Sequence, residues 1–151
     1  MKKRDIVIAL STALVMCVPL AIIANQHQQK LSMPSTAFNW DSIKVVATKV
    51  GEKRQFFDAP TITLDNLECH VTSLNPGESA HTPHQHPEEE LTIVKEGIVE
   101  VLVNGELKHV GSGSVVFQAA NTLHSIKNVG STMAVYHAIK WKSNKTEKAT
   151  K

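Results

Sequence analysis

From residue 43 to residue 139 the chain is a succession of short β-branched and alternating runs, and nothing in it repeats with a helical period over a useful length. The runs cover residues 43–50, 67–74, 91–94, 98–103, 106–110, 114–118, 122–128 and 133–139. Turn-forming residues separate them: Asn75-Pro76-Gly77, Gly97, Asn104-Gly105, Gly111, Gly113 and Gly130. Many short strands at close spacing bury their apolar faces as a sandwich or a barrel, so the expected class is all-β. The sharpest local signal is VLVNGELKHV. Asn104-Gly105 between two strand-like halves predicts a two-residue hairpin, because both central residues of that turn need positive φ.

The ends of the chain obey a different pattern. Lys2, Lys3 and Arg4 precede an apolar stretch over residues 6–24, interrupted by Ser11, Thr12, Cys17 and Pro19. A basic start followed by such a run reads as an export signal over residues 1–24, with cleavage after Ala24. Two other readings stay open. An uncleaved helix of this length spans about 28 Å, close to the thickness of a bilayer. Cys17 is also a conceivable lipidation site, although Met16 is a poor neighbour for one. All three place the folded domain in the periplasm or outside the cell, either free or anchored to the membrane. Residues 25–40 then form a linker, 41–142 the barrel and 143–151 a polar tail.

Charge excludes one class of partner. The formal charge of +2 is contributed by the first five residues, through Lys2, Lys3, Arg4 and Asp5. The remainder is about neutral and offers no cationic face for nucleic acid. Cys69 is the one cysteine outside the apolar N-terminal segment, so no internal disulfide is expected, and its alternating surroundings read as core.

His84, His86, Glu90 and His124 carry the chemistry. Residues i and i+2 of a strand point to the same face, so His84 and His86 aim two imidazoles into one cavity. Glu90 follows past Pro87, at the start of the next run, and His124 comes from a distant one. Three imidazoles and a carboxylate suit one divalent transition metal: Fe, Mn, Ni, Cu, Co or Zn. With eight histidines in the chain, a chance grouping is the bland alternative, and Glu88 and Glu89 read as a solvated acidic run. His81 reads as a surface loop residue. His70 and His137 belong either to the cavity or to the core, Asn128 reads as a turn holder, and Gln118 has no assignable role.

Residues 77–97, GESAHTPHQHPEEELTIVKEG, resemble the first motif of the cupin superfamily: glycine, H-x-H, three residues, Glu, six residues, glycine. Residues 113–128, GSVVFQAANTLHSIKN, resemble the second. Two positions depart from the pattern. The interval from Gly77 to His84 is one residue longer than in the family pattern, and Ala119-Ala120-Asn121 replaces a Pro-x-Gly turn, where Asn121 can supply the left-handed geometry. The resemblance covers roughly residues 60–140. It implies a single-domain double-stranded β-helix, or jelly-roll barrel, with His84, His86, Glu90 and His124 as metal ligands. It also implies that Glu90 can leave the metal and act as catalytic base, and that the barrel pairs into a homodimer. The family's chemistry ranges from dioxygenases and isomerases to binding proteins without turnover. The expectation is therefore an exported metal-dependent enzyme acting on a small polar metabolite, dioxygenase foremost. The alternatives are a periplasmic module that binds a sugar or carboxylate without turnover, and a structural metal in an interaction protein.

Overall fold

The computed structural model describes residues 32–143 and Thr146. The segment read as signal or anchor, the first part of the linker and most of the tail lie outside the described residues. Among the described residues no helix is long and apolar enough to cross a membrane.

Among the described residues nine antiparallel strands follow a 3-10 turn at Trp40–Ser42. They are β1 (Val45–Thr48), β2 (Gly51–Ala59), β3 (Asn66–Leu74), β4 (Glu89–Glu96), β5 (Ile98–Val103), β6 (Glu106–Gly111), β7 (Val115–Gln118), β8 (Ser125–Asn128) and β9 (Ala134–Lys142). One sheet has the order β1-β2-β3-β9-β4-β7 and the other β6-β5-β8, a jelly-roll arrangement. Asn104 and Gly105 close the β5–β6 hairpin with φ of 52° and 80°, as the Asn-Gly signal predicts. Asn121 takes φ 58°, so the turn at the second motif survives its missing glycine.

The interior divides into two layers. Leu74, Val94, Val99, Val116 and Ala134 belong to an apolar core at one end. At the other end lies a cavity of about 330 Å³ with charged and polar lining. Strand alternation sorts the side chains. On β3, Glu68, His70 and Thr72 line the cavity while Cys69, Val71 and Ser73 are buried on the opposite face. On β9, Tyr136, Ala138 and Lys140 line it.

Strand β2 has no counterpart in the sequence pattern, and the run at 43–50 ends early in a turn at Lys49 and Val50. The polar stretch Glu52-Lys53-Arg54-Gln55 conceals the strand, because one of its faces serves a polar cavity instead of an apolar core. A bulge between Gln55 and Phe57 adds a residue to β2. Phe56 and Phe57 meet Phe38, and Trp40 lies near Phe56 with ring centroids 6.1 Å apart. Gly51 allows the β1–β2 hairpin to approach β3: a Cβ there would sit 2.0 Å from the carbonyl oxygen of Ser73.

Candidate metal centre

The two sequence-distant motifs meet through their backbones. His84 and His124 face each other as an isolated antiparallel bridge and exchange both hydrogen bonds, at 3.1 and 2.9 Å. Asn121 N–H donates to the His86 carbonyl at 2.8 Å, and Asn128 N–H donates to the Glu78 carbonyl at 2.9 Å. These bonds place the imidazoles of His84 and His124 with ring centroids 4.4 Å apart and those of His86 and His124 at 4.8 Å. One ligand atom from each of the three histidines lies within 4.8 Å of the others.

The tautomers of two rings are set from outside the cavity. His86 Nδ1–H donates to the Glu88 carbonyl at 3.0 Å, and His124 Nδ1–H donates to the Thr122 carbonyl at 2.8 Å. Each Nε2 is thereby left with a free lone pair, the arrangement that orients metal-ligating histidines. Among the described residues, His84 Nδ1, His86 Nε2 and His124 Nε2 are the buried side-chain polar atoms that lack a hydrogen-bond partner. Leaving such an atom unsatisfied costs about 1–3 kcal/mol, and three of them share one site. A divalent cation removes all three deficits together, so the donor set fits a metal of the borderline series.

Glu90 adjoins this group. One of its oxygens, Oε2, is 3.5 Å from His86 Nε2, and the other, Oε1, accepts a hydrogen bond from Thr92 Oγ1 at 3.2 Å. The tight cluster contains the three histidines without it. Burial pushes the Glu90 carboxyl up, but contact with His86 and the positive potential of His124 and Lys140 outweigh it and keep it below the usual carboxylate range. His86 is raised, chiefly by Glu90 against the opposing effect of burial. His84 is pulled down to about 4, first by burial and then by the neighbouring imidazoles of His81, His124 and His86. A neutral His84 keeps its lone pair available at neutral pH.

The remaining sequence candidates separate. His81 is exposed as a loop residue, yet it lines the cavity with its ring centroid 4.0 Å from that of His84. His70 faces the cavity, whereas His137 lies on the other face, 6.2 Å from the Phe56 ring. Gln118 is buried beside Glu90 in the β4–β7 register, and Asn128 holds its turn by bonding Leu74, Thr132 and Gly130. Sequence reasoning missed Lys53, Glu68 and Lys140, all of which line the cavity. The signal was present on β3: if Cys69 and Val71 face away from the cavity, Glu68 and His70 must face it.

Fold and site define a small β-barrel with a three-histidine pocket close enough to hold a metal ion. Residues 70–140 match the cupin domain family, and the chain is a small protein of the cupin superfamily. Solved structures of the same fold include KdgF from Halomonas sp., 18% identical with TM-score 0.62, covering 74% of this chain and 99% of that one. An RmlC-like cupin from Shewanella frigidimarina is 15% identical with TM-score 0.60, covering 76% and 96%. A cupin-superfamily sugar phosphate isomerase from Silicibacter pomeroyi is 16% identical with TM-score 0.60, covering 72% and 76%. None of the curated proteins matches the sequence.

Proposed function

We propose that this protein is an exported, metal-dependent enzyme that converts a small polar metabolite inside the barrel cavity. The convergence of three partnerless imidazole nitrogens on that cavity carries the reading. His84, His86 and His124 hold the divalent ion, and Glu90 serves it either as a fourth ligand or as the adjacent base. The ion, when bound, supplies Lewis-acid polarisation of a substrate oxygen, or redox chemistry with O2 if it is iron, copper or manganese. Glu90 contributes at Oε2. Thr92 occupies the other oxygen, and the surrounding positive groups keep the carboxyl ionised, so it meets the substrate as a proton acceptor. The apolar lining from Val101, Ile126 and Ala138 limits the water that accompanies a bound ligand.

Dioxygenation is the reaction class placed first. The test is elemental analysis of protein taken from its native compartment, followed by oxygen uptake with iron-loaded protein over a panel of small polar substrates. Uptake that disappears in Glu90→Gln supports the proposal. Absence of uptake, and of any product with any of the candidate metals, removes the enzyme and leaves a binding module. Export is tested by fractionation and by the mature N-terminus: cleavage after Ala24 is expected, and an intact terminus in the membrane fraction means an anchor. A homodimer belongs to the same proposal, since Val115 and Phe117 are exposed on β7 at the edge of the larger sheet. Light scattering that shows a monomer at high concentration removes it.

A further inference from the structure

One wall of the cavity is built from a row of charged and polar side chains that crosses four strands. Glu68 on β3 pairs in register with Lys140 on β9, Lys140 with Glu90 on β4, and Glu90 with Gln118 on β7. All four line the cavity, so Lys140 is the direct cross-strand neighbour of the carboxylate beside the metal centre. Lys140 Nζ lies 2.9 Å from Glu68 Oε2. The other oxygen of Glu68 is shared by His70 Nδ1 at 2.9 Å and Lys53 Nζ at 3.8 Å. One carboxylate therefore serves two lysines and an imidazole, so Lys140 depends on Glu90 for the rest of its compensation.

Across the whole cavity two lysines are matched by Glu68 and Glu90. A divalent ion held by neutral histidines takes up the charge of Glu90, and Lys140 then loses half of its compensation. From this juxtaposition we propose that Lys140 and Lys53 form a subsite for the carboxylate of a small anionic ligand that extends from the metal centre. The inference rests on the metal-binding reading above and names the class of ligand for that same site. A cavity of about 330 Å³ lies at the small end of ligand pockets, which sets the scale of the compound. A carboxylate fits better than a phosphoryl group. Once the metal has taken up the charge of Glu90 the excess on this wall is about one charge, and the lining includes neither an arginine fork nor a helix N-terminus of the kind that recognises phosphate.

The test is calorimetric titration of succinate into zinc-loaded protein, with succinamide as the neutral control. Zinc is redox-inert, so binding is read without turnover. Succinate is expected to bind and succinamide to show no measurable heat. Lys140→Met should weaken succinate at least about tenfold, the scale of one lost charge-assisted hydrogen bond, while zinc stoichiometry stays at the wild-type value. Lys53, with its side chain 40% exposed against 29% for Lys140, should matter less in Lys53→Met. Lys140→Arg should retain binding, and added salt should weaken it in the wild type. If Lys140→Met does not fold, Lys53→Met and the salt dependence carry the test. Equal affinities for succinate and succinamide, or equal succinate affinities for wild type and Lys140→Met, would overturn the proposal. Inorganic phosphate binding more tightly than succinate would overturn the carboxylate assignment. Failure to bind zinc overturns the metal reading and the subsite with it, whereas zinc binding without Lys140-dependent succinate binding overturns the subsite alone.

Discussion

The histidine wall and the Glu68 wall of the cavity differ in how far their polar atoms are satisfied. His84, His86 and His124 each present a buried nitrogen with no partner. On the same cavity lining, Glu68 has Lys140, His70 and Lys53 gathered around its two oxygens. An unsatisfied buried group costs free energy that the fold must supply from elsewhere. A satisfied network stabilises its own geometry. One wall is thus completed from outside the chain, and the other is complete as folded. The contrast leads to opposite consequences of mutation on the two sides.

The largest effect is expected on the incomplete wall. His84→Ala should lower zinc affinity by at least about 100-fold, measured by competition with a chelating dye, because it removes one of three ligands. Stability of the metal-free protein in urea should change by only about 1 kcal/mol, since His84 Nδ1 makes no hydrogen bond to lose. Saturating zinc should stabilise the wild type by about 4 kcal/mol at a thousandfold excess over Kd, and at the same zinc concentration this increment should fall to about 1.4 kcal/mol or less in the variant. A large loss of metal-free stability with zinc affinity intact would make the histidines ordinary core residues.

Glu68→Ala should do the reverse. It strands Lys140 and His70 without their carboxylate, in a side-chain environment that is 16% exposed at Glu68. A loss of about 2 kcal/mol in urea denaturation is expected, less than for a fully buried pair because both lysines retain contact with water. Zinc affinity should stay within a few-fold of wild type. If Glu68→Ala abolished zinc binding instead, the two walls would be one cooperative unit and the distinction between them would fail.

The two walls were also unequally legible in the sequence. His84, His86 and His124 are readable because strand alternation and the fixed spacing of two motifs both point at them. Their closure depends on the reciprocal His84–His124 backbone bonds, which sit outside the regular strands yet follow from the two motif segments running antiparallel. Glu68, Lys140 and Lys53 are spread over 87 positions and share no local pattern, and only the β2–β3–β9–β4 register brings them together. Strand β2 escaped the pattern for a related reason. Hydrophobic periodicity finds strands that face a core, and β2 sends Lys53 into a cavity and Arg54 over the Trp40 ring. The barrel as a class was legible because most of its strands still bury alternate apolar residues.

Acid should act on the complete wall in a definite order. Burial, followed by the positive potential of Lys53, lowers His70 from its ordinary 6.5, so the unfolded chain takes up that proton first. The stability His70 contributes is present above 6.5 and is lost as pH falls from there towards its lower folded value. Glu68 is depressed although burial opposes it, because Lys140 and His70 favour the anion. Its contribution is present above 4.5 and is lost as pH falls through its folded value. Urea stability of the metal-free protein should therefore decline in two stages on acidification. His70→Gln should reduce the earlier stage, which His84 shares because it too is lowered, and leave the later one. His86, which is raised, works in the opposite direction, and its contribution is present at acid pH and lost as pH rises. A stability profile that rises as pH falls below 6.5 would mean that His86 outweighs both His70 and His84 and would invert the comparison.

The smallest effect sharpens the position of Glu90, which belongs to neither extreme. Its Oε1 is satisfied by Thr92 at 3.2 Å, while its Oε2 reaches His86 at 3.5 Å. Thr92→Val removes the hydroxyl and keeps the shape of a buried side chain. The stability cost should be about 1 kcal/mol, the net value of one hydrogen bond to a charged acceptor in a partly wet cavity. Zinc affinity distinguishes the two roles open to Glu90. As a fourth ligand it should lose orientation and weaken zinc binding several-fold; as a base beside a three-histidine centre it should leave affinity unchanged and alter only the pH dependence of turnover. Unchanged zinc affinity in Thr92→Val together with a similarly small change in Glu90→Gln would assign the carboxylate to proton transfer. A tenfold or greater loss in Glu90→Gln would place it in the coordination sphere with the histidines.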